Sequence, residues 1–114
     1  MSMREVSWVG VYILRGADLV LGPFQGRPAC TRIPIGKGVC GTSAAKRETI
    51  VVPNVDRFPG HIACDAASRS EIVVPLLKAR QLIGVLDVDS AVEDRFQFGD
   101  RELLENLAQL LVER

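Results

Sequence analysis

Runs of β-branched and aromatic residues, separated by turns rich in Gly and Pro, dominate the hydrophobic pattern of this chain. Such runs favour pleated, half-buried backbone. They predict six strands, over residues 6–14, 19–24, 29–33, 49–52, 71–78 and 82–90. Short polar turns at 15–18 and 79–81 join two pairs of these runs as hairpins, which predicts antiparallel pairing.

Two further segments are typical of helices. The segment 39–46 consists mostly of small residues and places Cys40 near a helix N-terminus, where the helix dipole favours a thiolate. The last segment of the chain carries leucines at helical spacing, which predicts one apolar face. These are Leu103, Leu104, Leu107, Leu110 and Leu111. Strands outnumber helices, and an antiparallel sheet with helices on its faces is an α+β fold.

The first predicted strand is apolar on both faces, which is typical of a covered, central strand. Strand alternation places Val6, Trp8, Tyr12 and Leu14 on one face. We expect Trp8 and Tyr12 to be core residues. The alternative is that their rings line a pocket and hold the apolar end of a ligand.

Composition narrows the class of protein. At 114 residues and 12.4 kDa, with 47% hydrophobic and 25% charged residues, the chain is expected to form a single domain spanning 1–114. Its formal net charge is zero, which argues against nucleic acid or an anionic membrane as the main partner. No apolar run approaches the roughly 18–20 residues of a membrane span. Because the first strand begins almost at Met1, we expect no signal peptide and a cytoplasmic location.

The three cysteines point to thiol chemistry. Their odd number argues against a static disulfide framework, and their spacing matches no zinc motif, so no metal is expected. Cys64 lies beside His61 and Ala63 in a polar, glycine-opened stretch, and a thiol near charge and water is the reactive kind. Cys30 and Cys40 lie upstream in segments interrupted by Gly and Pro. The alternative for each cysteine alone is a small buried hydrophobe.

Two acids interrupt an otherwise aliphatic strand. Asp87 and Asp89 lie two residues apart, so their side chains point to the same sheet face, and Glu71 opens the neighbouring strand. A buried acid is costly unless it is paired or lies in a cleft. One interpretation is therefore a salt bridge or a capping role. The other is a pocket in which three carboxyls bind a cation such as an ammonium, and in which crowding leaves one of them protonated.

Five motifs in this order resemble the free methionine-(R)-sulfoxide reductase family, whose members are catalytic GAF domains. They are 8–12 (WVGVY), 21–26 (LGPFQG), 36–42 (GKGVCGT), 58–65 (FPGHIACD) and 86–90 (LDVDS). The resemblance covers nearly the whole chain from Trp8 to the final helix. It implies a GAF-like antiparallel sheet of about six strands flanked by helices.

The resemblance also implies an activity, which is the reduction of free L-methionine-(R)-sulfoxide through a cysteine sulfenic acid and an intramolecular disulfide. By this resemblance Cys64 is the catalytic thiol, Cys30 is its disulfide partner and Cys40 is an alternative participant. A thioredoxin-type dithiol is the expected reductant. No metal or organic cofactor is implied. The competing hypothesis is a GAF module that senses a small molecule or redox state without turnover.

The remaining site residues follow from the same resemblance. Trp8 and Tyr12 resemble the aromatic wall for the methyl-sulfur end of the substrate, and the three acids resemble its polar anchors. We also expect backbone N–H groups of the turn 60–65, including those of Ile62 and Ala63, to receive the substrate carboxylate. A helical segment that usually precedes the first strand in this family is not expected here. The leucine face of the last helix would then lack an intramolecular partner, which predicts a homodimer.

Overall fold

The computed structural model describes residues 5–60 and 68–113. Its strands form one antiparallel sheet in the order β3-β2-β1-β6-β5-β4. The strands are β1 (Val6–Arg15), β2 (Asp18–Gln25), β3 (Arg32–Pro34), β4 (Ile50–Val52), β5 (Ser70–Lys78) and β6 (Gln81–Ser90). The predicted six-stranded antiparallel α+β fold is therefore confirmed, with β1 and β6 at its centre.

Two helices pack on opposite faces of this sheet. Helix α1 (Gly38–Lys46) packs against β5 and β6, and helix α2 (Phe98–Val112) packs against β5. The two cores alternate along each strand: Val73 and Val85 lie with α1, whereas Ile72 lies with α2. We call these the α1 face and the α2 face. In the part of the chain that the structure describes, no helix is long and apolar enough to cross a membrane.

A β-bulge at the start of β1 changes the side on which its first residue packs. Val6 pairs with Ser90, but Trp8 already pairs with Asp89, so one extra residue of β1 lies between these two pairs. Val6 therefore packs on the α2 face, whereas Trp8 lies on the α1 face. The simple alternation that placed Val6 beside Trp8 was wrong, because it assumed an unbroken register.

The packing side of α2 also differs from the prediction. Leu104, Ala108 and Val112 are buried against the sheet. The other predicted leucines, Leu103, Leu107, Leu110 and Leu111, are exposed. A stripe at intervals of four residues with a small residue at its centre allows the helix to lie close to the strands. The leucine pattern is wider than this contact, so most of it faces outward.

The loops that connect the strands differ from the prediction in detail. The third strand begins at Arg32 rather than near residue 29, so residues 26–31 form an irregular connection between β2 and β3. The hairpin of β5 and β6 is closed by Ala79 and Arg80, which have φ angles of 51° and 67°. Residues other than glycine rarely adopt this left-handed conformation.

Candidate functional site

Three carboxyl groups are buried together on the α1 face. Glu71 of β5 pairs directly with Asp89 of β6, and the next residue of β5 on the same face, Val73, pairs with Asp87. The three acids retain only 7%, 8% and 5% of their surface exposed, in the same order. The prediction that they share one sheet face is confirmed.

Burial and mutual repulsion favour the protonated forms of these acids. Burial raises the pKa of Glu71 well above its usual range, and the charge of Asp87 raises it further. Burial likewise raises the pKa of Asp87, with Asp89 as the next cause. The carboxyls also lie close enough to one another to share a proton. Burial and repulsion thus favour a neutral carboxyl in this cluster, and a neutral carboxyl can donate a hydrogen bond.

Helix α1 brings Cys40 against this cluster. Its Sγ donates to Oε2 of Glu71 at 4.0 Å, and the residue is only 4% exposed. The helix lies close to the end of β3 because Gly41 has no side chain: a Cβ there would be 2.6 Å from the carbonyl oxygen of Pro34. The segment 39–46 is thus a helix as predicted, and Cys40 lies in its first turn.

The predicted thiolate at Cys40 is wrong for this structure. Burial raises the pKa of the Cys40 thiol well above its ordinary value, and the charges of Asp87, Glu71 and Asp89 raise it further. Burial and these charges oppose the helix dipole, whose effect on the thiol is small by comparison. The thiol of Cys40 is therefore protonated and poorly nucleophilic in this conformation.

The thiol of Cys40 and two of the three carboxyls could together hold a metal ion. The sulfur of Cys40 and carboxylate oxygens of Glu71 and Asp87 all lie within 4.8 Å of one another. Such a mixed set of one soft and two hard donors suits a borderline cation such as Zn²⁺. The expectation of no metal, which came from the cysteine spacing, stays a prediction.

Trp8 and Tyr12 extend the α1 face beside the acids. Both are buried, at 2% and 1% exposure, and their ring centroids are 6.1 Å apart. Trp8 donates through Nε1 to the carbonyl oxygen of Arg27 at 3.0 Å, and Tyr12 donates through its hydroxyl to that of Cys30 at 2.8 Å. They are core residues as expected. Because both polar groups are satisfied by backbone, the rings are held in fixed orientations.

Two residues that support Trp8 were not among the predicted site residues. The ring of Phe24 stacks on that of Trp8, with centroids 5.8 Å apart and planes 18° apart. Gly10 lies under the indole, where a Cβ would be 2.3 Å from Trp8 Cη2. Gly10 and Phe24 face each other in the β1–β2 pairing. The glycine in the middle of a β-branched strand was the available signal, because such a glycine often marks a close approach.

Cys30 and Cys40 differ in state. Cys30 is half-buried in the 26–31 connection and is disulfide-bonded, whereas Cys40 is a free, buried thiol. Cys64, with Ile62 and Ala63, lies outside the described residues. The remaining predicted site residues, Trp8, Tyr12, Cys40, Glu71, Asp87 and Asp89, come together on the α1 face, and Cys30 adjoins them through Tyr12.

Comparisons with known proteins agree with this architecture. The family model for the GAF domain matches residues 2–113. The free methionine-R-sulfoxide reductase of Escherichia coli (strain K12) is 51% identical over 109 residues, which are 96% of this chain and 66% of that protein. The chain thus spans about two thirds of the length of this relative.

Two solved structures are similar to this chain in fold and sequence. The reduced form of fRMsr of Staphylococcus aureus has a TM-score of 0.92 and 54% identity, covering 96% of this chain and 71% of that one. A free methionine-R-sulfoxide reductase from Neisseria meningitidis, in complex with its substrate, has a TM-score of 0.93 and 51% identity. That match covers 95% of this chain and 66% of the other.

Proposed function

This chain belongs to the GAF domain family, and from that premise we propose that it reduces free methionine-(R)-sulfoxide to methionine with its own thiols. The family predicted from the sequence motifs is thereby confirmed. The observation that carries the proposed activity is the buried cluster of Glu71, Asp87 and Asp89 beside two fixed aromatic rings. Two relatives named for this activity are more than half identical to the chain and support the assignment.

The acids supply the electrophilic activation. A sulfoxide sulfur accepts a nucleophile only when its oxygen is protonated or strongly hydrogen-bonded, since oxygen must leave as water. A neutral carboxyl of the Glu71–Asp87 pair, whose pKa values burial raises, provides the donor at neutral pH. A remaining ionised carboxylate then binds the α-ammonium of the free amino acid.

The aromatic residues supply apolar contact. Trp8 and Tyr12 lie on the same sheet face as the acids, and Phe24 stacks behind the indole. A methyl-sulfur group placed against such rings gains dispersion contact, as thioethers do beside aromatic side chains. The backbone N–H groups of Ile62 and Ala63 are our candidates for the substrate carboxylate. A site that binds both the α-ammonium and the α-carboxylate of its substrate prefers the free amino acid, because a residue within a peptide has neither charged group.

Two thiols, those of Cys64 and Cys30, complete the cycle. The Cys64 thiolate attacks the sulfoxide sulfur, and the protonated oxygen leaves as water, which gives a sulfonium bonded to Cys64 Sγ. A water molecule then attacks Cys64 Sγ and loses a proton, the new S–S bond breaks, and methionine leaves as a neutral thioether while Cys64 becomes a sulfenic acid. The Cys30 thiol then attacks that sulfenic acid, forms a disulfide and releases water. The disulfide-bonded state of Cys30 supports its resolving role, and the buried, protonated Cys40 thiol supports Cys64 as the attacker. A thioredoxin-type dithiol restores the two thiols. We propose no metal or organic cofactor.

The test is a coupled assay containing the purified chain, thioredoxin, its reductase and NADPH. Free methionine-(R)-sulfoxide should be turned over, whereas the S epimer and a peptide-bound sulfoxide should not. Cys64→Ser should abolish turnover, and Cys40→Ser is the matched control that retains it. Loss of turnover in Cys40→Ser alone would reverse the thiol assignment. Binding of methionine sulfoxide without turnover in the reduced protein would instead support the sensing module.

A further inference from the structure

Basic residues are concentrated around the disulfide-bonded cysteine. The 29-residue segment 19–47 contains five basic residues and no acidic residue, although the whole chain has a net charge of zero. The five are Arg27, Arg32, Lys37, Lys46 and Arg47. The rest of the chain is correspondingly acidic. Of the five, Arg27 and Arg32 lie within three residues of Cys30 in the sequence.

Two of these arginines flank Cys30 in the sequence, one in the 26–31 connection and one at the start of the edge strand. Arg27 precedes it by three residues, and its side chain is exposed while its backbone carbonyl is held by Trp8. Arg32 follows Cys30 by two residues and begins β3, the edge strand of the sheet. Its side chain is 60% exposed and pairs with Asp18 at 2.7 Å. Asp18 therefore offsets part of the charge of Arg32. We call Arg27, Cys30 and Arg32 the basic edge.

We propose that the basic edge is the docking surface for an acidic protein dithiol, which reduces the disulfide at Cys30. This inference rests on the proposed function, because it concerns the step that resets the reductase. Two observations favour a protein as the reductant that docks there. Two positive side chains lie on either side of Cys30 in the chain, that of Arg27 in the connection and that of Arg32 at the start of β3, and among the described residues the outer side of β3 pairs with no other strand.

The redox step is a thiol–disulfide exchange in two stages. A thiolate of the reductant attacks Cys30 Sγ, the existing S–S bond breaks, and the partner cysteine leaves as a thiolate that takes up a proton. The second thiol of the reductant then attacks the reductant sulfur that is bonded to Cys30, and Cys30 leaves as a thiolate. Two electrons and two protons pass from the dithiol to the protein. Nearby arginines favour the approach of the first thiolate and stabilise the Cys30 thiolate that departs last.

The experiment measures the second-order rate of reduction of the oxidised chain by stopped flow. The probes are a reduced thioredoxin of acidic net charge, dithiothreitol and glutathione. Arg27→Glu should lower the rate with thioredoxin about tenfold at about 0.1 M salt, because reversing a charge beside the contact weakens electrostatic steering. The rate with dithiothreitol should stay within about twofold, because its reactive ion is small and lacks an acidic face.

Lys46→Glu is the matched control. It makes the same charge change in the same basic segment, but at an exposed position at the far end of α1. It should change the thioredoxin rate less than about twofold, because screening limits its reach at moderate salt. In the unmodified chain, added salt should slow thioredoxin more than dithiothreitol. This measurement needs no variant and stands if Arg27→Glu folds poorly.

Three results would overturn the proposal. These are an unchanged thioredoxin rate in Arg27→Glu, an equal loss with dithiothreitol, or a loss with glutathione as large as that with thioredoxin, which would indicate a small anionic thiol. Failure of the proposed reductase activity can be distinguished from failure of the docking proposal. A chain that turns over no methionine sulfoxide with dithiothreitol fails as a reductase, even when its disulfide reduction still depends on Arg27.

Discussion

The two faces of the sheet are built from the same strands but serve different purposes. On the α2 face, aliphatic side chains such as Ile72 and Leu86 meet the aliphatic stripe of α2. On the α1 face, equally buried positions carry Asp87, Glu71 and a thiol. Burying unpaired charge is costly, whereas burying aliphatic surface is favourable. The α2 face therefore stabilises the fold, whereas the costly groups of the α1 face are the ones that we propose for chemistry.

The largest effect should come from the acids. Asp87→Asn keeps the shape of the side chain but removes a carboxyl from the cluster. The Glu71–Asp87 pair then no longer provides the shared proton that activates the sulfoxide oxygen. We expect turnover of methionine-(R)-sulfoxide to fall by about 10²–10⁴-fold, the usual contribution of a general acid. The coupled assay measures this loss, and thermal unfolding should show no loss of stability. An Asp87→Asn variant with full turnover would remove the acids from the proposed mechanism.

The neighbouring residue should show the opposite behaviour. Leu86 is 3% exposed and packs on the α2 face. Leu86→Ala should lower the free energy of unfolding by about 2–5 kcal/mol, because it leaves a cavity in a packed core. Urea denaturation followed by circular dichroism measures this. Turnover per folded molecule should stay near that of the unmodified chain. A large loss of turnover in the folded fraction would show that the two faces are not separable.

The pH dependence of stability should also separate the faces. Because burial raises the pKa values of Glu71 and Asp87 above their ordinary 4.5 and 3.8, the folded state binds more protons than the unfolded state above about pH 4. The free energy of unfolding contributed by these groups is therefore fully present at low pH, and is lost as the pH rises through their folded pKa values. Urea denaturation at about pH 5 and about pH 8 should show this loss, and Asp87→Asn should reduce it. Equal losses in both proteins would contradict the assignment.

The smallest effect on stability should come from the outer side of α2. Leu110 is 61% exposed, so Leu110→Glu should change the free energy of unfolding by no more than about 0.5 kcal/mol. If the predicted homodimer forms through the exposed leucines, the same variant should be a monomer. Light scattering at micromolar concentration measures both proteins, with Glu102→Gln as a surface control. A monomeric unmodified chain would contradict the predicted dimer.

Alternation along the strands predicted much of the α1 face. Asp87 and Asp89 were placed on one face because strand periodicity is two, and no bulge interrupts β6 between them. The same rule failed for Val6, because a bulge at Ser7 depends on pairing with β6 rather than on local composition. Register errors of this kind cannot be read from one strand alone.

Burial of the helices was harder to predict. The sequence located Cys40 at the start of α1, but its protonation depends on residues 31 to 49 positions away that only the folded sheet brings near. For α2, the stripe of Leu104, Ala108 and Val112 was present in the sequence at intervals of four. The prediction followed the more hydrophobic leucines instead of this stripe. Hydrophobicity alone does not show how closely a helix approaches a sheet.

The hairpin that joins β5 to β6 has a consequence for engineering. Its turn residues Ala79 and Arg80 adopt a conformation that suits Asn and Gly better, so Ala79→Asn with Arg80→Gly should raise heat resistance. Glu71, Asp87 and Asp89 lie at the opposite ends of these two strands. Thermostability and reactivity can therefore be tuned independently along a single pair of strands.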